Sequence, residues 1–197
     1  MRAARIVPPI LAILAVLSSA GPADSTTLLR LSLDTLSRDA VMVVQGHVSW
    51  DYAARPDPDA PPYTYTGIEV TRCVAGSCPE TVVLRHRGGN AGGTNLFIPG
   101  MPRFAPGQEV LLFLRDDYEE QAGYFSVLGM VQGFFLVIEE PASGRKIAVQ
   151  QLGAVTLASP DANGSITPTG PGVPIIEDLE ALVGRIVEMR AKKGGAE

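Results

Sequence analysis

Val41-Met42-Val43-Val44-Gln45-Gly46-His47-Val48-Ser49-Trp50 decides the fold class. The even positions Met42, Val44, Gly46, Val48 and Trp50 are apolar or small, and Gln45, His47 and Ser49 take the odd positions after Val43. A period of two marks a strand with one face on a core. Trp50 continues the inward set and is expected half-buried at the strand end, while His47 is expected to point outward. Just upstream, Ser32 to Asp39 reads as one short helix, because Ser32 is a good N-cap and Leu33 and Leu36 lie three apart on one face.

Downstream the strand signals repeat. Asp51 to Pro62 carries Pro56-Asp57-Pro58-Asp59 and Pro61-Pro62 and is expected as a long, acidic, exposed loop. Tyr63 and Tyr65 then share one parity and Ile68 and Val70 the other, with the switch at Gly67, which predicts a β-bulge of the kind that bends strands around small barrels. Cys73 to Cys78 turns the chain into the antiparallel partner Thr81 to Arg87. The glycine-dense run Gly88 to Asn95 is not a phosphate cradle: no Lys-Ser/Thr and no helix follow it, and an irregular edge strand or loop is expected. Glu109 to Arg115 is apolar on both faces, hence central in a sheet. Asp116-Asp117-Tyr118-Glu119-Glu120 reads as a solvated acidic turn. Tyr124–Val131, Gly133–Glu139 and Lys146–Val149 bring the total to about six or seven strands, so the fold is mainly β, a small barrel or sandwich.

Residues 159–174, rich in proline, glycine and threonine without periodicity, read as a linker, with Asn163-Gly164-Ser165 fitting both a glycosylation acceptor and an Asn-Gly turn. Residues 175–193 read as a C-terminal amphipathic helix started by Pro174. Glu177 and Asp178 suit its positive end, and Lys192 and Lys193 its negative end. Its stripe of Ile175, Leu179, Leu182, Val183 and Ile186 either packs back on the domain, as a linker of that length allows, or docks on a partner.

At the other end, Arg2 and Arg5 precede an apolar run from Ile6 to Leu17 and the small residues Ser18-Ser19-Ala20. That pattern predicts a secretory signal peptide over residues 1–20, too short to span a bilayer. The expected domain then covers 21–158. Cleavage removes Arg2 and Arg5 and takes the formal charge from −5 to −7, which argues against nucleic acid or an anionic membrane as partner, and no later stretch suggests membrane insertion of the mature chain. Cys73 and Cys78 are the only cysteines. In an oxidising compartment such a close pair forms a disulfide. The spacing is not Cys-x-x-Cys, and with only His47 and His86 beside it no zinc set can be assembled, so neither metal nor cofactor is expected.

The run from Leu36 to Val48 resembles the opening of netrin-like domains, the OB-type barrels of tissue inhibitors of metalloproteinases: a helix, an aspartate, then a valine-rich strand with glycine and valine. Gly88-Gly89 to Gly93, Phe104 to Leu114 and Gly129-Met130-Val131-Gln132-Gly133 resemble a set of bacterial secreted proteins with the same order of elements. Together the resemblances span about residues 30–140 and imply an OB-like or netrin-like barrel with a short N-terminal helix. The metalloproteinase inhibitors act through an N-terminal cysteine. Here the mature end falls near Gly21 with no cysteine before Cys73, so that mechanism does not carry over.

Two functions remain. The first is an exported, non-enzymatic binding module that engages or inhibits another exported protein or peptide through Trp50, Tyr52, Tyr63 and Tyr65 and the loop residues Asp57 and Asp59, since aromatic side chains anchor interfaces and scaffolded loops carry function. The second is a secreted hydrolase whose site is assembled in space, for no Gly-x-Ser-x-Gly, His-Glu-x-x-His or comparable local motif is present. For export, the intact mass of the protein recovered without detergent should begin at or just after Gly21. A mass retaining residues 1–20 in the membrane fraction would contradict it.

Overall fold

The computed structural model describes residues 26–153 and 155–194; the signal segment and the expected start at Gly21 lie outside them. Met42–Ala54 (β2), Tyr63–Ala75 (β3), Thr81–Arg87 (β4), Glu109–Asp116 (β7) and Phe125–Val127 (β8) close a five-stranded barrel. Its order is β2-β3-β4-β8-β7 and back to β2, antiparallel throughout except where β8 runs parallel to β4. This is a Greek-key barrel of OB type. The first half of β7 also pairs with β9 (Phe134–Glu139), from which β10 (Lys146–Gln150) and β13 (Ile176–Asp178) continue the sheet outward.

Strand β7 is apolar on both faces because it separates two cores. Val110, Leu112 and Leu114 point into the barrel with Val44, Val48, Ile68 and Leu84. Leu111 and Phe113 point the other way, under helices α1 (Leu33–Asp39) and α2 (Leu179–Gly194), among Leu36, Leu182, Val183 and Ile186. The stripe of α2 therefore packs on the domain. Arg190 of α2 donates to the carbonyls of Ser37 and Ala40 at 2.8 and 2.7 Å and so caps the end of α1. Ser32 caps its start, accepting from Thr35 N–H at 3.0 Å. Among the described residues no helix is long and apolar enough to cross a membrane.

Four local expectations are corrected. The bulge at Gly67 places its extra residue on the partner strand: Val48 faces Ile68 and Trp50 faces Gly67, leaving Ser49 unmatched. The indole of Trp50 lies across Gly67, where a Cβ would sit 2.3 Å from Cε2, so the position has room only for hydrogen. Residues 159–174 are not a bare linker. β11 (Thr156–Pro160) and β12 (Ile166–Pro171) form a hairpin, and β1 (Thr27–Leu29) pairs with β11 to make a separate three-stranded sheet. Strand β12 is exposed along nearly its whole length and so carries no apolar alternation to read. The glycine run forms the hairpin β5 (Gly89–Ala91) and β6 (Thr94–Leu96). Finally, α2 begins at Leu179 because the Asp178 carboxylate accepts from Glu180 and Ala181 N–H, while Ile176–Asp178 is held extended by β10.

Candidate functional site

Strand β7 begins at Glu109, opposite His47, so the later part of β2 and the start of β3 run on past the barrel wall as an arm. Cross-strand register sorts its side chains. Trp50, Tyr52 and Ala54 face Gly67, Tyr65 and Tyr63, which in turn face Val83, Arg85 and Arg87 of β4. Asp51, Ala53, Thr64, Thr66 and His86 occupy the opposite, inner side of the same arm.

On the outer side Trp50, Tyr52, Tyr65 and Tyr124 form a continuous aromatic row, with centroid separations of 5.3, 5.6 and 5.5 Å. Tyr52 and Tyr65 are a direct cross-strand pair, stacked at 24°. Tyr65 is buried and Trp50 half-buried, but Tyr52 is 54% exposed. Beneath the row lies Arg85, 7% exposed, with its guanidinium 4.6 Å from the Tyr63 ring centre and 5.7 Å from that of Tyr124. Arg85 donates to Asp117 at 2.8 Å and to Glu119 at 2.8 Å. The Tyr63 hydroxyl donates to Glu119 at 2.6 Å. Burial opposes ionisation of Asp117, yet hydrogen bonds from Arg85 and from the N–H groups of Gln121 and Glu119 hold its carboxyl below the usual range.

Tyr63 is thus committed to the polar cluster, its hydroxyl pKa raised by burial and by Glu119. Asp57 is committed to its own turn, accepting from Asp59 and Ala60 N–H at 2.9 and 2.7 Å, and Arg55 donates to the Ala60 carbonyl. Asp59 is exposed at the loop tip. The irregular part of the loop is residues 55–62, since β2 runs to Ala54. Cys73 and Cys78 are bonded to each other at the far end of β3. Trp50, Tyr52 and Tyr65 are therefore brought together, and the loop carboxylates are not part of their row. Sequence reasoning missed Tyr124, Arg85 and Asp117. Arg85-His86-Arg87, three basic residues inside a strand, is the one local signal that could have found Arg85.

On the inner side a cavity of about 340 Å³ opens between the arm and the 88–104 segment. Asp51 accepts from Thr66 at 2.5 Å, and desolvation raises its carboxyl pKa while that hydrogen bond opposes the rise. His86 is 4% exposed; Nε2 accepts from Val127 N–H at 3.4 Å, and Nδ1 has no partner. Gly89 brings the β5 backbone against the arm, where a Cβ would lie 2.7 Å from Ala53 Cβ. Ser126, His86 and Asp117 also converge, but not as a nucleophile relay. The Ser126 hydroxyl contacts the Arg85 carbonyl and the Asp117 carboxylate, and all three residues are buried. No family model, curated protein or solved structure matches this chain.

Burial lowers the His86 pKa from 6.5 to about 4, against the opposing pull of the Asp117 charge. The unfolded chain, titrating near 6.5, binds the extra proton between about pH 4 and 6.5. His86 neutrality thus supports the fold fully above that window, and stability falls as pH drops through it, by on the order of 3 kcal/mol in all. Asp51, with its raised pKa, works in the opposite direction at the acid end. Urea midpoints at pH 7 and pH 5 should differ clearly in the parent and much less in His86→Phe. Equal differences would show that another group carries the dependence.

Proposed function

We propose that the chain is an exported, non-enzymatic binding module that holds another exported protein or peptide against the outer aromatic row of its arm, with the 55–62 loop at the rim. The observation that carries this reading is the exposure of Tyr52 at 54% on top of a row whose other members are packed in place. A rigid aromatic with one face free gives large contact area at little cost in side-chain entropy, and such residues dominate interface energetics. In OB barrels this side of the sheet, with the loops between the first and second and the fourth and fifth strands, is where ligands dock. Here those loops are 55–62 and 117–124.

Export is supported by the N-terminal segment, which has the order of a signal peptide, and by the Cys73–Cys78 disulfide. The barrel, with α1 leading into its first long strand and α2 packed behind it, supports kinship with netrin-like domains. The mature chain has no N-terminal cysteine with which to approach a zinc ion, so any inhibition it exerts works through the aromatic row.

Capture of exported proteins by the immobilised mature chain should fall sharply with Tyr52→Ala. It should also fall when 55–62 is replaced by a short Gly-Ser connection, with the fold retained because stability depends only weakly on loop length. Undiminished capture by both variants would place the contact surface elsewhere.

A further inference from the structure

The inner side of the arm carries a second site that the aromatic row does not use. We infer that the cavity between the arm and the 88–104 segment binds a small hydroxyl-rich molecule, a mono- or disaccharide. Its walls are built rather than incidental. The 88–104 segment is held over the barrel mouth by the Gly88 N–H bonded to Pro62 O at 2.8 Å and by the Thr64 hydroxyl bonded to Gly88 O at 3.0 Å. Phe104 is fixed between His86 and Phe134, with ring centres at 6.0 and 4.8 Å.

Two deep groups define what fits. Asp51 is a partly desolvated carboxylate with a hydrogen bond from Thr66 and no ion-pair partner among the described residues. Nδ1 of His86 is, among the described residues, the one buried side-chain nitrogen or oxygen without a partner. Because Nε2 accepts from Val127 N–H, the neutral ring carries its proton on Nδ1, which makes that atom an unused donor. A buried donor left unmatched is unfavourable, and a ligand oxygen would relieve it.

Ligand classes are separated by these two groups. A carboxylate would match the His86 donor and the guanidiniums of Arg87 and Arg103 at the wall, but be repelled by Asp51. An ammonium would match Asp51 and meet the imidazole N–H and the guanidiniums of Arg87 and Arg103, which also line the cavity. Hydroxyls donate and accept, so a polyol satisfies both without placing a charge against either. Asn90 and Asn95, on the opposite wall, present amides of the same two-way character, and Ile98 and Phe104 offer an apolar surface for the C–H face of a sugar ring. A volume near the lower end of the roughly 300–1,000 Å³ typical of ligand pockets limits the guest to one or two rings.

Saturation-transfer NMR on the mature chain with glucose, galactose, N-acetylglucosamine and maltose tests the assignment, with acetate and ethylammonium as charged competitors. At least one sugar should receive transfer and shift the His86 Nδ1 resonance. Asp51→Asn and Asn95→Ala should each weaken that sugar by about tenfold or more, since a site built for hydroxyls discriminates strongly against a lost partner. Asn95 is exposed on β6, so its variant reports even if Asp51→Asn fails to fold. Absence of transfer to all four sugars, binding unchanged in Asn95→Ala, or displacement by acetate or ethylammonium would overturn the inference. The readout is direct binding at the inner wall, independent of partner capture on the outer one.

Discussion

Strand β8 meets β4 at one parallel bridge, Leu84 opposite Phe125, and the polar groups around that bridge are what hold the barrel shut. Arg85, next to Leu84, reaches the Asp117 and Glu119 carboxylates from the turn that leads into β8. Ser126 bonds back to the Arg85 carbonyl, and Val127 N–H bonds to His86. Two backbone N–H groups of the 117–121 turn also end on Asp117. Burying such charges is costly, and the pair stands only because nearly every donor and acceptor in it is used. Removing one partner of a buried pair costs about 3–5 kcal/mol, because the other charge is left without compensation.

Both faces of the arm are keyed to this seam through consecutive residues of β4. Arg85 points outward and sets Tyr63 and Tyr124, and with them the far end of the aromatic row. His86 points inward and forms part of the cavity wall. Period-two geometry therefore lets one short strand anchor two separate surfaces. Within the seam the Ser126 hydroxyl and the Asp117 carboxylate are bonded to structural partners, so these residues do not form a nucleophile relay with His86.

Much of this was legible in the sequence. The alternation of Met42, Val44 and Val48 marks the barrel interior, and the two-sided apolar run 109–115 marks the strand between two cores. The aromatic residues Trp50, Tyr52 and Tyr65 were visible by type, but not their side: simple alternation puts Trp50 with the inward set of Met42, Val44 and Val48, and the unmatched Ser49 turns it outward onto the row. The seam was not. Asp117 lies in a run of acids that looks solvated, and its burial at 4% depends on Arg85, over thirty residues earlier, pointing at it. No local pattern announces a parallel bridge of one residue pair, so strand periodicity by itself leaves barrel and sandwich both open. The hairpin at 156–171 was hidden for the opposite reason: its outer strand buries almost nothing, and without burial there is no pattern.

Amide hydrogen exchange tests the dependence on the seam most directly, by comparing the parent with Arg85→Met. The account predicts that residues 117–127 lose protection together while the β2–β3 ladder around Val44 and Ile68 keeps its own, because that ladder is held by the interior core rather than by the seam. Unchanged protection across 117–127 in Arg85→Met would show that the barrel closes without the buried pair and would contradict the account.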